Sequence, residues 1–149
     1  MTNLKGLDYR QSGVSMIEVL IAILISVVGL FSVTKMQLSA VTNTHSAYLR
    51  SQAAVAANGM VDQLRANSSA AINGDYDLAL TASAPISGGI EVVDLTQWRS
   101  DLAVILPSGV GSIACFSATQ ICSLVVQWDD SRGLAGGGSQ QFSLTVRLQ

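Results

Sequence analysis

The sequence predicts an α+β fold in which a long N-terminal helix packs on a small C-terminal antiparallel β-sheet. No proline interrupts residues 14–67, and this span is rich in Ala, Leu, Met, Gln and Arg, which are good helix formers. The first part of the span is almost uniformly apolar, and its second part places apolar residues at helical spacing. The C-terminal part of the chain instead alternates apolar and polar side chains, which is typical of strands.

The apolar segment runs from Val14 to Thr34 and contains one charged residue, Glu18. A helix of this length, at ~1.5 Å per residue, spans about 30 Å, the thickness of the hydrocarbon core of a bilayer. The segment is apolar on all sides, whereas a helix in a soluble core needs only one apolar face. We therefore predict that residues 14–36 form the transmembrane half of the helix.

Glu18 is the exception in this segment. A carboxylate within a membrane helix costs ~2.5–3.5 kcal/mol on insertion scales, so such a residue usually has a partner. The alternative is that Glu18, four residues after Val14, stays hydrated at the membrane surface.

The composition excludes two classes of protein. The 149 residues are 49% hydrophobic and 12% charged, with a mean hydropathy of +0.43. An intrinsically disordered chain combines low hydrophobicity with high charge, so disorder is excluded. A net charge of −2 with eight basic residues provides no basic surface for nucleic acid.

A short polar leader, residues 1–13, precedes the apolar segment. No Ala-x-Ala cleavage site follows the segment, so it should remain in the mature protein. Lys5 and Arg10 favour a cytoplasmic N-terminus, although Lys35 at the other end weakens this asymmetry.

The combination of Gly13, Val14 and Glu18 with the apolar run VLIAILISVVGL resembles a type IV prepilin signal. The resemblance implies that a prepilin peptidase cuts between Gly13 and Val14 on the cytoplasmic side and N-methylates Val14. Glu18 would then neutralise the N-terminal amine of a neighbouring subunit, because two opposite charges are tolerable in lipid only as a pair. Members of the family most often have Phe where this chain has Val14.

Three further stretches, LTQWRSDLAVILPSG, CFSATQIC and LVVQWDD, resemble the PilV-type minor pilins, also called type IV pilus modification proteins. Major pilins often have a helix-bending proline within the apolar helix, whereas the first proline here is Pro85. The resemblance implies a type IV pilin-like fold and a structural subunit that joins other minor and major pilins in a priming or tip complex. It also implies contact with the inner-membrane assembly machinery and with membrane lipid before assembly. The chain would be single-pass in the inner membrane, with its C-terminal domain in the periplasm, and would reach the pilus at the cell surface after assembly.

Two alternatives stay open. A pseudopilin of a type II secretion system has the same signal and long helix. A single-pass, membrane-anchored binding module would not polymerise and would keep its leader.

No residue pattern in the sequence predicts an enzyme, a cofactor or a metal site. The only histidine, His45, lies on the apolar stripe of the helix, without the three or four ligands that zinc needs. The glycine-rich stretch GLAGGGS lacks the Lys of a phosphate-binding loop.

The amphipathic half of the helix is predicted at residues 37–67, and the globular domain at 68–149. A stripe at helical spacing should pack on that domain; it consists of Leu38, Val41, His45, Leu49, Ala53, Ala56, Met60 and Leu64. The connection 68–93 reads as irregular, with one possible strand, YDLAL.

A second, short helix is predicted at 94–106, with Asp94 and Gln97 as a capping box. Its buried face should contain four residues at helical spacing, Leu95, Trp98, Leu102 and Ile105.

The segments GSIACFS, ICSLVVQW and QFSLTVRL are predicted strands. Matching their apolar faces pairs residue 128 with 142 and residue 124 with 146. A tight hairpin that pairs residue 115 with 122 also pairs 113 with 124. This hairpin would place Cys115 and Cys122 at a distance suited to a disulfide, which an oxidising periplasm favours. Two buried free thiols are the alternative.

Overall fold

The computed structural model describes residues 13–133 and 137–148. Within these residues the order of elements is α1 Met16–Ala66, α2 Ser68–Asn73, α3 Ile90–Ile105, β1 Val110–Phe116, β2 Ile121–Trp128 and β3 Gln140–Arg147. The predicted α+β fold, with a long helix packed on a small antiparallel sheet, is confirmed. The predicted leader, residues 1–13, lies outside the described residues except for Gly13.

The chain divides into two compact units, Met1–Leu38 and Ser39–Gln149. The described part of the first unit is a short non-helical segment followed by the apolar turns of α1, whose large side chains are exposed. The 51-residue length of α1 agrees with the continuous helix predicted over residues 14–67.

The second unit is built on one face of α1. Leu49, Ala53, Met60 and Leu64 are buried, as the stripe predicts. Ala57 is buried more deeply than the predicted Ala56.

The N-terminal end of the predicted stripe is wrong, because Leu38, Val41 and His45 are exposed. Within the second unit, the length of the sheet explains why only part of the stripe on α1 is buried. An eight-residue strand is about 26 Å long, which matches about 17 residues of helix at ~1.5 Å each.

The connection 68–93, predicted to be irregular with one possible strand, YDLAL, differs in the structure, because it contains a short helix and the start of α3, and YDLAL forms no strand. Residues 68–73 form α2, which ends at Gly74 in the left-handed conformation, with φ of 90°. A glycine at this position ends helices readily because it has no Cβ. After the turn, Leu78 forms only an isolated antiparallel bridge to Ile113, with two backbone hydrogen bonds of 2.9 Å.

The second predicted helix starts earlier than expected. α3 begins at Ile90 after Gly89, whose backbone N–H donates to the Glu91 carboxylate. Asp94 therefore lies inside the helix, and the predicted capping box is wrong.

The face of α3 is nearly as predicted. Leu95, Trp98 and Leu102 are buried, whereas Ile105 is 41% exposed. The Trp98 indole Nε1–H donates to the Ala56 carbonyl of α1 at 3.1 Å. A Cβ at Gly111 of β1 would collide with the Trp98 ring, so the absence of a side chain there lets α3 approach the sheet.

The sheet has the order β1-β2-β3, and both pairs are antiparallel. The hairpin register is confirmed, with Cys115 opposite Cys122 and Ile113 opposite Leu124.

The predicted register between β2 and β3 is wrong by two residues, since Val126 pairs with Phe142 and Leu124 with Leu144. A shift by two keeps every side chain on the same face, so the alternation cannot distinguish the two registers. A hydrogen bond of 2.7 Å from the Gln141 amide nitrogen to the Gln127 amide oxygen links the observed pair on the outer face.

The inner face of the sheet is unevenly covered. On β2, Cys122, Leu124, Val126 and Trp128 are all buried. On β3 the inward-facing residues 142, 144 and 146 are only half-buried.

Tyr76 joins the turn after α2 to α3. Its side chain is fully buried, and its hydroxyl donates to the Asp94 carboxylate at 2.7 Å. This bond explains why Asp94 is kept inside α3, since a buried phenol without a partner would be costly. Burial, with the Asp94 carboxylate as hydrogen-bond acceptor, raises the pKa of Tyr76 from 10.0 to about 12.

We expect Tyr76→Phe to change how the free energy of unfolding depends on pH. A raised folded-state pKa stabilises the fold fully below pH 10, and the contribution is lost as the pH rises towards 12. Chemical unfolding of the detergent-solubilised chain, followed by tryptophan fluorescence, should show wild type losing stability more steeply than Tyr76→Phe between pH 9 and 11. At pH 7 the variant should be less stable by about 1 kcal/mol. Parallel pH profiles for the two proteins would contradict the assignment.

Candidate functional site

The candidate site is the N-terminal end of α1, where Gly13, Val14 and Ser15 precede the first helical turn. Gly13 and Val14 are exposed, and a Cβ built on Gly13 would meet nothing within 4 Å. The Ser15 carbonyl accepts backbone hydrogen bonds from Glu18 at 3.0 Å and Val19 at 3.3 Å. The bond between residues 13 and 14 therefore lies in an accessible, non-helical segment directly before the helix.

The hydroxyl groups in the apolar part of α1 are satisfied within the helix. Ser26 donates to the Ala22 carbonyl at 2.7 Å, and Ser32 and Thr34 make the same bond to the carbonyl four residues earlier. A helix that satisfies its own backbone and hydroxyl groups needs no water. This part of α1 is therefore chemically suited to hydrocarbon.

Glu18 differs from these hydroxyls. Within the described ranges 13–133 and 137–148, its carboxylate has no hydrogen bond and no ion pair. It lies in the first turn of α1, where the helix dipole favours a negative charge, typically by 0.3–1 kcal/mol. That contribution is smaller than the ~2.5–3.5 kcal/mol that insertion scales give for a carboxylate at the centre of a membrane helix.

By length and composition, α1 could cross a membrane, and none of its most apolar window is buried inside the structure. This exposure differs from that of a soluble core helix, which is mostly buried. The finding is consistent with membrane anchoring through residues 14–36.

Residues 8–34 match the family model of the prokaryotic N-terminal methylation motif. No curated protein and no solved structure shows significant similarity to the chain. The matched range contains Gly13, Val14 and Glu18, and it supports a type IV pilin-like prepilin, with a pilin or pseudopilin role. Such a motif points to a structural subunit that contacts other pilins and a prepilin peptidase.

Cys115 and Cys122 form a disulfide in the structure, with their Cα atoms 4.0 Å apart. They are opposite each other in the β1–β2 hairpin, and Cys122 is buried. The Cys115 backbone N–H also donates to the Asp77 carboxylate at 2.8 Å. The hairpin is thus attached to the turn after α2 as well as closed by the disulfide.

Three buried side-chain atoms lack a hydrogen-bond partner in the part of the chain that the structure describes, namely Arg99 Nε, Trp128 Nε1 and Asp130 Oδ1. The sequence alone predicts none of them. The acidic pair Asp129–Asp130 directly after an apolar strand was the available signal, but only the fold shows that Asp130 is buried.

His45 is exposed on α1, and it lines a small pocket together with Asp130 and Arg132. Among the described residues, no cluster of three or more His, Cys, Asp and Glu side chains could hold a metal.

We expect the free energy of unfolding of the double variant Cys115→Ala/Cys122→Ala to be about 2 kcal/mol lower than that of wild type. The reason is that the disulfide closes a short loop in the unfolded chain and so restricts its conformations. Chemical unfolding with and without reductant measures the difference, and reduced wild type should match the variant. Non-reducing mass spectrometry of the purified chain is the accompanying check. Two free thiols in protein exported from the cytoplasm would contradict the disulfide.

Proposed function

We propose that the chain is a minor pilin, a structural subunit that takes part in type IV pilus assembly after processing by a prepilin peptidase. The observation that carries the proposal is the position of Gly13, Val14 and Glu18 at the exposed start of an apolar helix, inside the range matched by the methylation motif. Cleavage between Gly13 and Val14 would create a new N-terminal amine on Val14, which is then methylated.

After cleavage and methylation, the second step of the proposed mechanism is charge pairing through Glu18. After cleavage, the amine of Val14 and the carboxylate of Glu18 are the two charges of the apolar segment up to Thr34. In lipid each charge is costly alone, and their pairing across two subunits offsets much of that cost. The pairing would also set the axial position of one subunit against the next.

The exposed apolar surface of α1 implies that this helix could leave the membrane only by entering an assembly of subunits. Large apolar side chains cover the helix through residue 33 and are exposed in the single chain. Outside lipid, they need the apolar segments of neighbouring subunits as cover. Before assembly the chain would be single-pass in the inner membrane, with residues 68–149 in the periplasm.

The minor-pilin assignment, within the broader pilin and pseudopilin class, rests on the PilV-like segments and on the absence of proline before Pro85. Priming of assembly together with other minor pilins, and a place in a tip complex, are parts of this proposal. Co-purification with pilus subunits rather than with secretion-system proteins is the observation that separates it from a pseudopilin.

Processing is tested by co-expression with a prepilin peptidase, followed by N-terminal sequencing. Wild type should lose residues 1–13 and start at a methylated Val14. Gly13→Leu should abolish cleavage, whereas Gly13→Ala should retain part of it. Because a Cβ at Gly13 meets nothing within 4 Å, any loss reflects recognition by the peptidase and not a disturbed fold. An unprocessed wild-type chain would instead indicate the membrane-anchored binding module.

The pairing role predicts that Glu18→Ala and Glu18→Gln insert into the membrane normally but enter pili poorly. The amount of subunit in sheared pili, relative to the membrane fraction, should fall at least about tenfold, the change that 1.4 kcal/mol of lost pairing produces. Ser15→Ala, a variant in the same segment that keeps the carboxylate, should behave as wild type. Normal incorporation of Glu18→Ala would refute the pairing.

A further inference from the structure

A cavity of about 320 Å³ opens between α1 and the sheet, where β2 ends and β3 begins. Its walls include Ser46 and Arg50 of α1 and, from the sheet side, Trp128, Asp130 and Gln140. We call this feature the Asp130 cavity. All of its residues belong to the unit Ser39–Gln149.

Asp130 is the most unusual residue of the cavity. It is 6% exposed, and its Oδ1 atom has no hydrogen-bond partner in the described ranges 13–133 and 137–148. The turn holds it in place, since the Gly133 backbone N–H donates to the Asp130 carbonyl at 2.9 Å. A buried carboxylate without a counter-charge costs several kcal/mol, so a cationic partner is expected.

Three basic side chains lie near Asp130 without forming an ion pair with it. Arg50 lines the same cavity, and His45 and Arg132 line a smaller pocket that also includes Asp130. The single ion pair found in the described part of the chain joins Arg65 and Asp62.

Trp128 limits which kinds of cationic group could be the partner of Asp130. Trp128 lines the same cavity, and its buried Nε1–H lacks an acceptor within the described residues. A metal ion or a free ammonium group would satisfy Asp130 but could not accept a hydrogen bond from Trp128. A polypeptide segment with a basic side chain supplies both groups, because its ammonium or guanidinium donates to Asp130 while a backbone carbonyl accepts from Trp128.

β3 beside the cavity has room for such a segment. Among the described residues, β3 has a strand on one side only, and residues 142, 144 and 146 on its inner face are half-buried. A chain lying there would cover apolar surface and pair with free backbone groups of the edge strand.

We propose that the Asp130 cavity receives a Lys or Arg side chain from another pilus subunit, with the backbone of that segment lying along β3. The identity of the partner as a pilus subunit rests on the proposed function. The contact lies on the globular unit and is separate from the pairing at Glu18.

The test uses the full-length chain in piliated cells, with the photo-crosslinker p-benzoylphenylalanine at Asn43, an exposed position lining the cavity. The expected product joins this chain to a second subunit with a prepilin signal, through a peptide containing Lys or Arg. Its yield should fall at least about tenfold in Asp130→Asn, since removing one member of a buried charge pair weakens association strongly. The same crosslinker placed at Val104, which is 83% exposed on α3, measures the yield of nonspecific crosslinking.

Two controls separate binding from folding. Asp62→Asn, which removes an exposed carboxylate of α1, should leave the crosslink unchanged. The isolated Asp130→Asn chain should melt at or above the wild-type temperature, because the substitution removes an uncompensated buried charge. A lower melting temperature would show that Asp130 has an internal partner, and would overturn the proposal.

The proposal is also overturned if the crosslink survives Asp130→Asn, or if the joined peptide has no basic residue. Asp130→Lys should abolish the crosslink, and changing the identified basic residue of the partner to Glu should restore it. Mass spectrometry of the N-terminus of the chain from the same cells distinguishes failure of the proposed function from failure of the proposed role of Asp130. Retention of residues 1–13 refutes the proposed function, whereas processed chain with an unchanged crosslink refutes only the role of Asp130.

Discussion

The fold depends on the burial of one face of α1 between Leu49 and Leu64. The inner face of the sheet and the buried face of α3 form one core with this stretch, and the hydrogen bond from Trp98 to the Ala56 carbonyl fixes α3 against the helix. The same helix also contains residues 16–34 of the apolar segment, whose large side chains are exposed in the described part of the chain. A helix can serve both surroundings because its backbone groups are paired within the element, whether lipid, water or protein surrounds it.

Most buried polar groups in the described residues, and the hydroxyl groups in the apolar part of α1, are satisfied internally. The Tyr76 hydroxyl has Asp94, the Trp98 indole has a carbonyl, and Ser26 bonds within its own helix. Glu18 and Asp130 differ, since neither carboxylate has an ion pair in the ranges 13–133 and 137–148. On the proposed assembly, each lacks a partner because that partner belongs to another chain. The two acids would then determine how subunits meet, one at the N-terminal end of α1 and one at the sheet.

The sequence predicts those features that depend on periodicity and on strong local signals. The length of α1, the strand faces and the pairing of Cys115 with Cys122 follow from spacing and parity. The register of β3 does not, because a shift by two residues preserves the alternation of Leu144 and its neighbours. The sequence predicts the wrong role for Asp94 because its partner, Tyr76, is distant in sequence and only the fold brings the two together. Asp130 was missed for a related reason, since burial of a residue after a strand depends on what packs over it.

The low charge of the chain has a consequence for the sheet edge. Residues 37–149 contain 13 charged side chains, about 12%, roughly half the usual share. β3 carries one charge, Arg147, and no proline, although natural proteins usually protect an edge strand with such residues. An edge left in this state favours pairing with another chain, and its inner face is only half covered. A subunit that spends its functional life between other subunits does not need the protection that a free monomer would. On the proposed assembly, the scarcity of charge, the open side of β3 and the unpaired Asp130 would have one common physical explanation, which is that a neighbouring subunit completes this surface.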